Sequence, residues 1–179
     1  MRAITFLLAT AGLSLAACGG GGGGGTSPPT SPPVSPPSPP TTVLSGQFKD
    51  ANTAGLSYST ASQSGVTDDS GRFSYQSGET VQFSVGGIVI GEAVGAPIVT
   101  PVELVPGGSS DSLQVRNIVR FLMMLDQNAD PADGIFISQA VRDMAANWSQ
   151  VDFSSDDLDN ELVTIISDVA SVDQRTPVL

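Results

Sequence analysis

The stretch GRFSYQSGETVQFSVGGIVIGEA (residues 71–93) decides how the rest of the chain is read. Apolar side chains recur at every second position: Phe73 and Tyr75, then Val81, Phe83 and Val85, then Ile88 and Ile90. Period two is the repeat of a strand with one buried face, because successive side chains leave a pleated backbone on opposite sides. The separators TDDSG (67–71) and QSGE (76–79) have the composition of hairpin-type turns, with Gly71 and Gly78 supplying backbone freedom. Upstream, VLSGQF (43–48) and AGLSYST (54–60) read as two further strands. Residues 43–104 are therefore expected to be mainly β, as a small antiparallel sandwich or partial barrel.

From residue 111 the apolar repeat lengthens to 3.6. Val115, Ile118, Val119, Leu122 and Leu125 share one face of a helix over 111–125, and Asp111 with Gln114 has the spacing of a capping box. A second, shorter helix is expected from Ser138, with Val141, Met144, Ala145 and Trp148 inward. A third is expected from near Ser154, carrying the stripe Leu158, Leu162, Ile165, Ile166 and Val169. Such stripes are usually core. Three amphipathic helices laid on the open side of a small sheet bury them together, so the fold class is α+β, with residues 111–171 mainly helical.

Outward from this domain the chain changes character. Residues 19–42 consist almost wholly of Gly, Pro, Ser and Thr, a composition that cannot build a core. Within it TSPPTSPPVSPPSPPTT (26–42) favours polyproline II, at about 3.1 Å per residue and roughly 50 Å in all. This segment reads as a tether for a single globular domain, 43–179. Before it, MRAITFLLATAGLSLAAC (1–18) has a positive start at Arg2, an apolar run, and small residues ahead of the only cysteine. That order is the one found in a secretion signal, too short for a spanning helix.

The chain of 179 residues carries 7 basic and 18 acidic side chains, a formal net charge of −11, and no histidine. The charge repels nucleic acid, which is excluded as a partner. The absence of histidine excludes Ser-His-Asp and Cys-His chemistry and every imidazole-ligated zinc site. A lone cysteine makes no intramolecular disulfide, so packing must supply stability. No G-x-S-x-G, S-x-x-K, phosphate loop or dinucleotide fingerprint is present. Carboxylates are the only abundant reactive groups, and Asp68 with Asp69 sits in a turn that acidic residues ordinarily serve. No catalytic residue is assigned. A carboxylate-dependent hydrolase is the least favoured of three function classes.

One constellation has metal-ligand spacing. In LDQNADPADGI (125–135), Asp126, Asn128, Asp130 and Asp133 present hard oxygens at positions one, three, five and eight. Calcium takes six to eight such oxygens. The match to an EF-hand loop is partial, since Pro131 stands at the glycine position and Ile137 at that of the bidentate glutamate. Calcium is thus the single candidate cofactor, and a solvated acidic connector is the alternative.

Two resemblances add to this reading. Leu15-Ala16-Ala17-Cys18 resembles the lipobox of bacterial lipoproteins. The resemblance implies removal of residues 1–17, lipidation of Cys18 and, with Gly19 rather than Asp next in line, export to the outer membrane. An ordinary secretion signal with an incidental cysteine is the alternative. Residues 65–91 are similar to carboxypeptidase-regulatory-like and transthyretin-like sandwich modules, through a G-x-T-D-x-x-G-x-F-x-Y pattern at Gly65, Thr67, Asp68, Gly71, Phe73 and Tyr75. Through VTPVEL (99–104) and NIVRFLMMLDQNADPADGI (117–135), the whole domain resembles an uncharacterised module of proteobacterial envelope lipoproteins. That resemblance implies a membrane-anchored, non-enzymatic interaction domain of adhesion-like or assembly type, facing the periplasm or the outside. Its partners would be the membrane, through the anchor, and an envelope or surface protein or glycan. The alternative it implies is an accessory lipoprotein of lipid or organic-solvent transport.

Overall fold

The computed structural model describes residues 42–130, 132–174 and 176–177. The signal 1–17, Cys18 and all of the tether but Thr42 lie outside the described residues, as does Pro131. The strands are β1 (Val43–Phe48), β2 (Thr53–Ala54), β3 (Ser57–Ser59), β4 (Ser64–Val66), β5 (Arg72–Gln76), β6 (Thr80–Val85), β7 (Ile88–Val94), β8 (Ile98–Val99) and β9 (Ile135–Phe136). The helices are α1 (Leu113–Leu125), α2 (Gln139–Ala145), α3 (Leu158–Glu161) and α4 (Val163–Asp173). The class is α+β, as the two apolar periods require.

Three sheets form: β5-β1-β8, β4-β3-β6-β7 and the pair β2-β9. The four-stranded sheet is antiparallel throughout, whereas β8 joins β1, and β9 joins β2, in parallel. None of them closes into a barrel. The period-two residues all point where their spacing demands: Phe73, Tyr75, Val81, Phe83, Val85, Ile88 and Ile90 are buried. Aromatic rings join the two larger sheets. Phe73 on β5 meets Phe83 on β6 edge-on at 5.1 Å, and Phe48 on β1 lies 4.9 Å from Phe83.

The turns differ from expectation in what they connect. TDDSG carries the chain from β4 to β5 and QSGE from β5 to β6, and in each case the two strands belong to different sheets. They are inter-sheet crossings, not hairpins. A turn signal reports local backbone freedom, whereas strand pairing is decided by where the apolar faces meet. The first crossing is braced by Asp68, whose Oδ1 accepts from Ser70 N and Arg72 N, each at 2.9 Å. Gly71 takes φ +73, and a Cβ there would stand 2.5 Å from Phe48 O. The hairpin of this region is instead β6–β7, turned by Gly86 and Gly87. Gly86 (φ +56) lies so close to Ala145 at the end of α2 that a Cβ would fall 2.2 Å from its carbonyl carbon.

The helices correct two of the three expected starts. The expected capping box at Asp111 and Gln114 does not form; Ser112 is the N-cap, and its Oγ accepts from Ser109 N at 2.8 Å. Helix α2 begins after Ser138 as its spacing demands, with Ser138 Oγ accepting from Val141 N at 3.2 Å. The third helix starts not at Ser154 but after Asp157, and it is divided in two at Leu162 (φ −97, ψ −1). The delay has a cause. Asp152 Oδ1 accepts from Ser154 N and Ser154 Oγ, and buried Asn117 donates to Phe153 O at 3.0 Å and Ser155 O at 2.8 Å. Those carbonyls are thereby held in a turn instead of a helical ladder. The stripe itself is inward: Leu158, Leu162, Ile165 and Val169 are buried and Ile166 is half-buried. Trp148 Nε1 donates to Asp168 Oδ2 at 2.8 Å, linking the segment after α2 to α4. Strand and helix side chains together form one continuous core.

Two buried threonines make opposite contributions. Thr67 Oγ1 donates to Thr53 O at 2.6 Å and accepts from Leu56 N at 3.0 Å, whereas Thr53 Oγ1 is fully buried with no hydrogen-bond partner. A buried hydroxyl without a partner carries a desolvation penalty of about 1–3 kcal/mol. Thr53→Val should therefore leave urea stability unchanged or raise it by up to about 1 kcal/mol, and Thr67→Val should lower it by about 2 kcal/mol. Equal losses in both variants would contradict the assignment.

Candidate functional site

The carboxylate loop after α1 is built from the helix end outward. Asp126 is the C-cap of α1 and is buried; its Oδ1 accepts from Phe136 N at 2.9 Å, while Gln127 N donates to Phe136 O at 2.9 Å. Asp126 thus turns inward and ties the loop to β9. Asn128 Oδ1 accepts from Asp130 N at 2.9 Å, and Asp130 Oδ1 accepts from Ala132 N at 3.0 Å. Asn128 Nδ2 reaches Asp133 Oδ2 at 2.8 Å. The structure therefore brings Asn128 and Asp133 together, and one oxygen of each of the four residues serves the loop's own donors. Among the described residues, no group of three or more His, Cys, Asp or Glu is placed to hold a metal ion. Asp68, with its two backbone donors, belongs to the inter-sheet crossing as its turn composition implies.

A second site was not legible in the sequence. Lys49 and Asp50 after β1, Thr100, Pro101 and Val102 after β8, Ser110, and Val115, Arg116, Val119 and Arg120 on α1 line a pocket of about 550 Å³ that opens to solvent. Its walls bring the end of β1 against segments far along the chain, after β8 and on α1. Helix α1 supplies two neighbouring rows, because Val115 with Val119 and Arg116 with Arg120 are each one turn apart. Val115 is buried and Val119 half-buried, while Arg116 is exposed. The one available signal was Arg116 and Arg120 at a spacing of four, in a chain poor in bases.

The opposite wall is held by a compact turn. Thr100 N and Thr100 Oγ1 both donate to Glu103 Oε2, at 2.7 and 2.5 Å, and Glu103 N donates back to Thr100 O at 3.2 Å. This presents Pro101 and Val102 to the pocket. The Thr100 hydroxyl, followed by the Thr100 amide, holds the Glu103 carboxyl below its ordinary value of 4.5. Burial pushes the Asp50 carboxyl above its ordinary 3.8. Arg120 is bridged to Asp159 at 2.7 Å, the only ion pair among the described residues. Lys49 and Arg116 have no ion-pair partner there.

Because the folded form lowers the pKa of Glu103, its contribution is present above pH 4.5 and lost as pH falls through the lower folded value. The carboxylate is exposed, so solvent screening keeps the effect below about 1 kcal/mol. Glu103→Gln should lower the melting temperature near neutral pH, and the gap from wild type should narrow on acidification below pH 4.5. A gap independent of pH would remove Glu103 as the carboxylate that orders the wall.

Among the described residues no helix is long and apolar enough to cross a membrane. Comparison with protein-family models, with curated proteins and with solved structures found no match to the chain.

Proposed function

We propose that the chain is a non-enzymatic lipoprotein of the outer membrane, anchored through Cys18, that displays residues 43–179 as an interaction domain of adhesion-like or assembly type. Support for the anchor is the Leu15-Ala16-Ala17-Cys18 box after an apolar run. Acyl chains on that sulfur hold at about 0.8 kcal/mol per buried methylene, which two or three chains make effectively permanent. The observation that carries the display reading is the continuous core: sheet and helix side chains meet as one cluster, and the pocket that α1 lines opens to solvent. The similarity of residues 65–91 to sandwich modules agrees with the structural duty of its motif, in which Thr67, Asp68 and Gly71 brace a crossing and Phe73 and Tyr75 fill the space between sheets. An envelope protein or glycan is the partner this reading implies, and nucleic acid is not. Accessory service in lipid or organic-solvent transport is the alternative, and it calls for enclosed apolar room between sheet and helices. Fractionation tests the anchor. Cys18→Ser should shift the protein from the membrane to the soluble fraction and change its mature mass, and a membrane-bound variant of unchanged mass would overturn it.

Calcium binding by Asp126, Asn128, Asp130 and Asp133 is a second proposal, supported by their spacing in the sequence; it requires the Asn128 amide, whose nitrogen now donates to Asp133 Oδ2 at 2.8 Å, to turn its oxygen toward the ion. A site of this exposure would act in the micromolar to millimolar range and would stiffen the link between α1 and β9. Calcium at a few millimolar should then raise the melting temperature of wild type more than that of Asp130→Ala. Equal shifts in both would leave the loop a solvated connector.

A further inference from the structure

The distribution of positive charge in this acidic chain is uneven. Of the basic residues, Lys49, Arg72, Arg116, Arg120 and Arg142 are described, and Lys49, Arg116 and Arg120 all line the pocket on α1. The other two lie elsewhere, and Arg142 is engaged with Ile137 O at 2.6 Å and with Gln139 Oε1. Arg120 is largely compensated by Asp159, which leaves Lys49 and Arg116 as the uncompensated cations at the rim. Between them the walls are apolar: Pro101, Val102, Val115 and Val119. The volume, about 550 Å³, falls in the ordinary range for small-molecule sites, about 300–1,000 Å³.

We propose that this pocket binds a small organic monoanion with an apolar body, of the medium-chain carboxylate class, its head group on Lys49 and Arg116 and its chain against Pro101, Val102, Val115 and Val119. A bare inorganic anion would leave the apolar walls unmatched, and a neutral alkane would leave the two cations unused. A polyanion is repelled by a net charge of −11, which a single carboxylate in a local basic site meets far more weakly. Asp50, the one carboxylate lining the pocket, opposes the ligand. Its contribution has the opposite sign to those of Lys49 and Arg116. This inference goes beyond the interaction-domain reading, whose partner is an envelope protein or glycan, and it is independent of the anchor.

Titration calorimetry on the Cys18→Ser chain, which carries no acyl group, without detergent, with decanoate, 1-decanol and decyltrimethylammonium tests it. Decanoate should bind at one site with a Kd on the order of 100 µM, and the cation should not bind. Lys49→Ala combined with Arg116→Ala should weaken decanoate about tenfold or more, and Asp50→Asn should tighten it about threefold. These positions are exposed, and an unchanged circular-dichroism melt confirms that each variant is folded. Decanol binding as tightly as decanoate would overturn the anion assignment and favour the transport alternative. Absence of saturable decanoate binding, or equal affinity with and without the double substitution, would overturn the site itself. Neither result would alter the outcome of the Cys18→Ser fractionation.

Discussion

The contact between Phe73 and Phe83, with Phe48 against the same ring, is the interaction on which the β half depends. Each buried phenylalanine contributes about 1.5–3 kcal/mol from burial, and each well-placed aromatic pair adds about 0.5–1.5 kcal/mol. Because Phe73 and Phe83 lie on consecutive strands in different sheets, the chain between them crosses from one sheet to the other at QSGE. Accordingly β6 finds its antiparallel partners in β3 and β7, and β5 finds its own in β1.

The helical half is organised by polar groups as much as by its apolar stripes. Asn117 would be an unlikely core residue by composition, yet its amide takes two carbonyls of the 153–155 turn and so fixes where α3 begins. Phe121 and Phe153 close the same junction at 5.3 Å. At the edge of the antiparallel sheet, Gln150 donates to Val89 O and accepts from Val89 N, so a side-chain amide continues the ladder of β7 where no strand follows. An exposed strand edge is an aggregation hazard, and this pairing covers part of it.

These constraints place the two sites. The inward face of α1 is committed to the core, which leaves Arg116 and Arg120 facing out beside Val119, across from the Thr100–Glu103 turn. At the other end of α1, Asp126 is drawn in by the amide of Phe136, so the loop begins as a structural tie and is solvated from Gln127 onward. The same helix therefore carries a basic pocket on its flank and an acidic loop at its C-terminus.

Some of this was determined by the sequence alone. The period-two run at 71–93 and the 3.6-residue repeats at 115–125 and 158–169 set the α+β class and nearly every inward side chain, because alternation and helical spacing are local properties of a backbone with only two soft dihedrals per residue. The turn at Asp68 and the start of α2 at Ser138 were legible too, since capping and turn bonds span only a few residues. Tertiary structure decided the rest. Which strands pair, the parallel arrival of β8 and β9, the delayed start of α3, the inward rotation of Asp126 and the joining of Lys49, Val102 and Arg116 in one pocket all depend on contacts between distant segments. No local period records such contacts, because their free energy exists only once the apolar faces have been brought together.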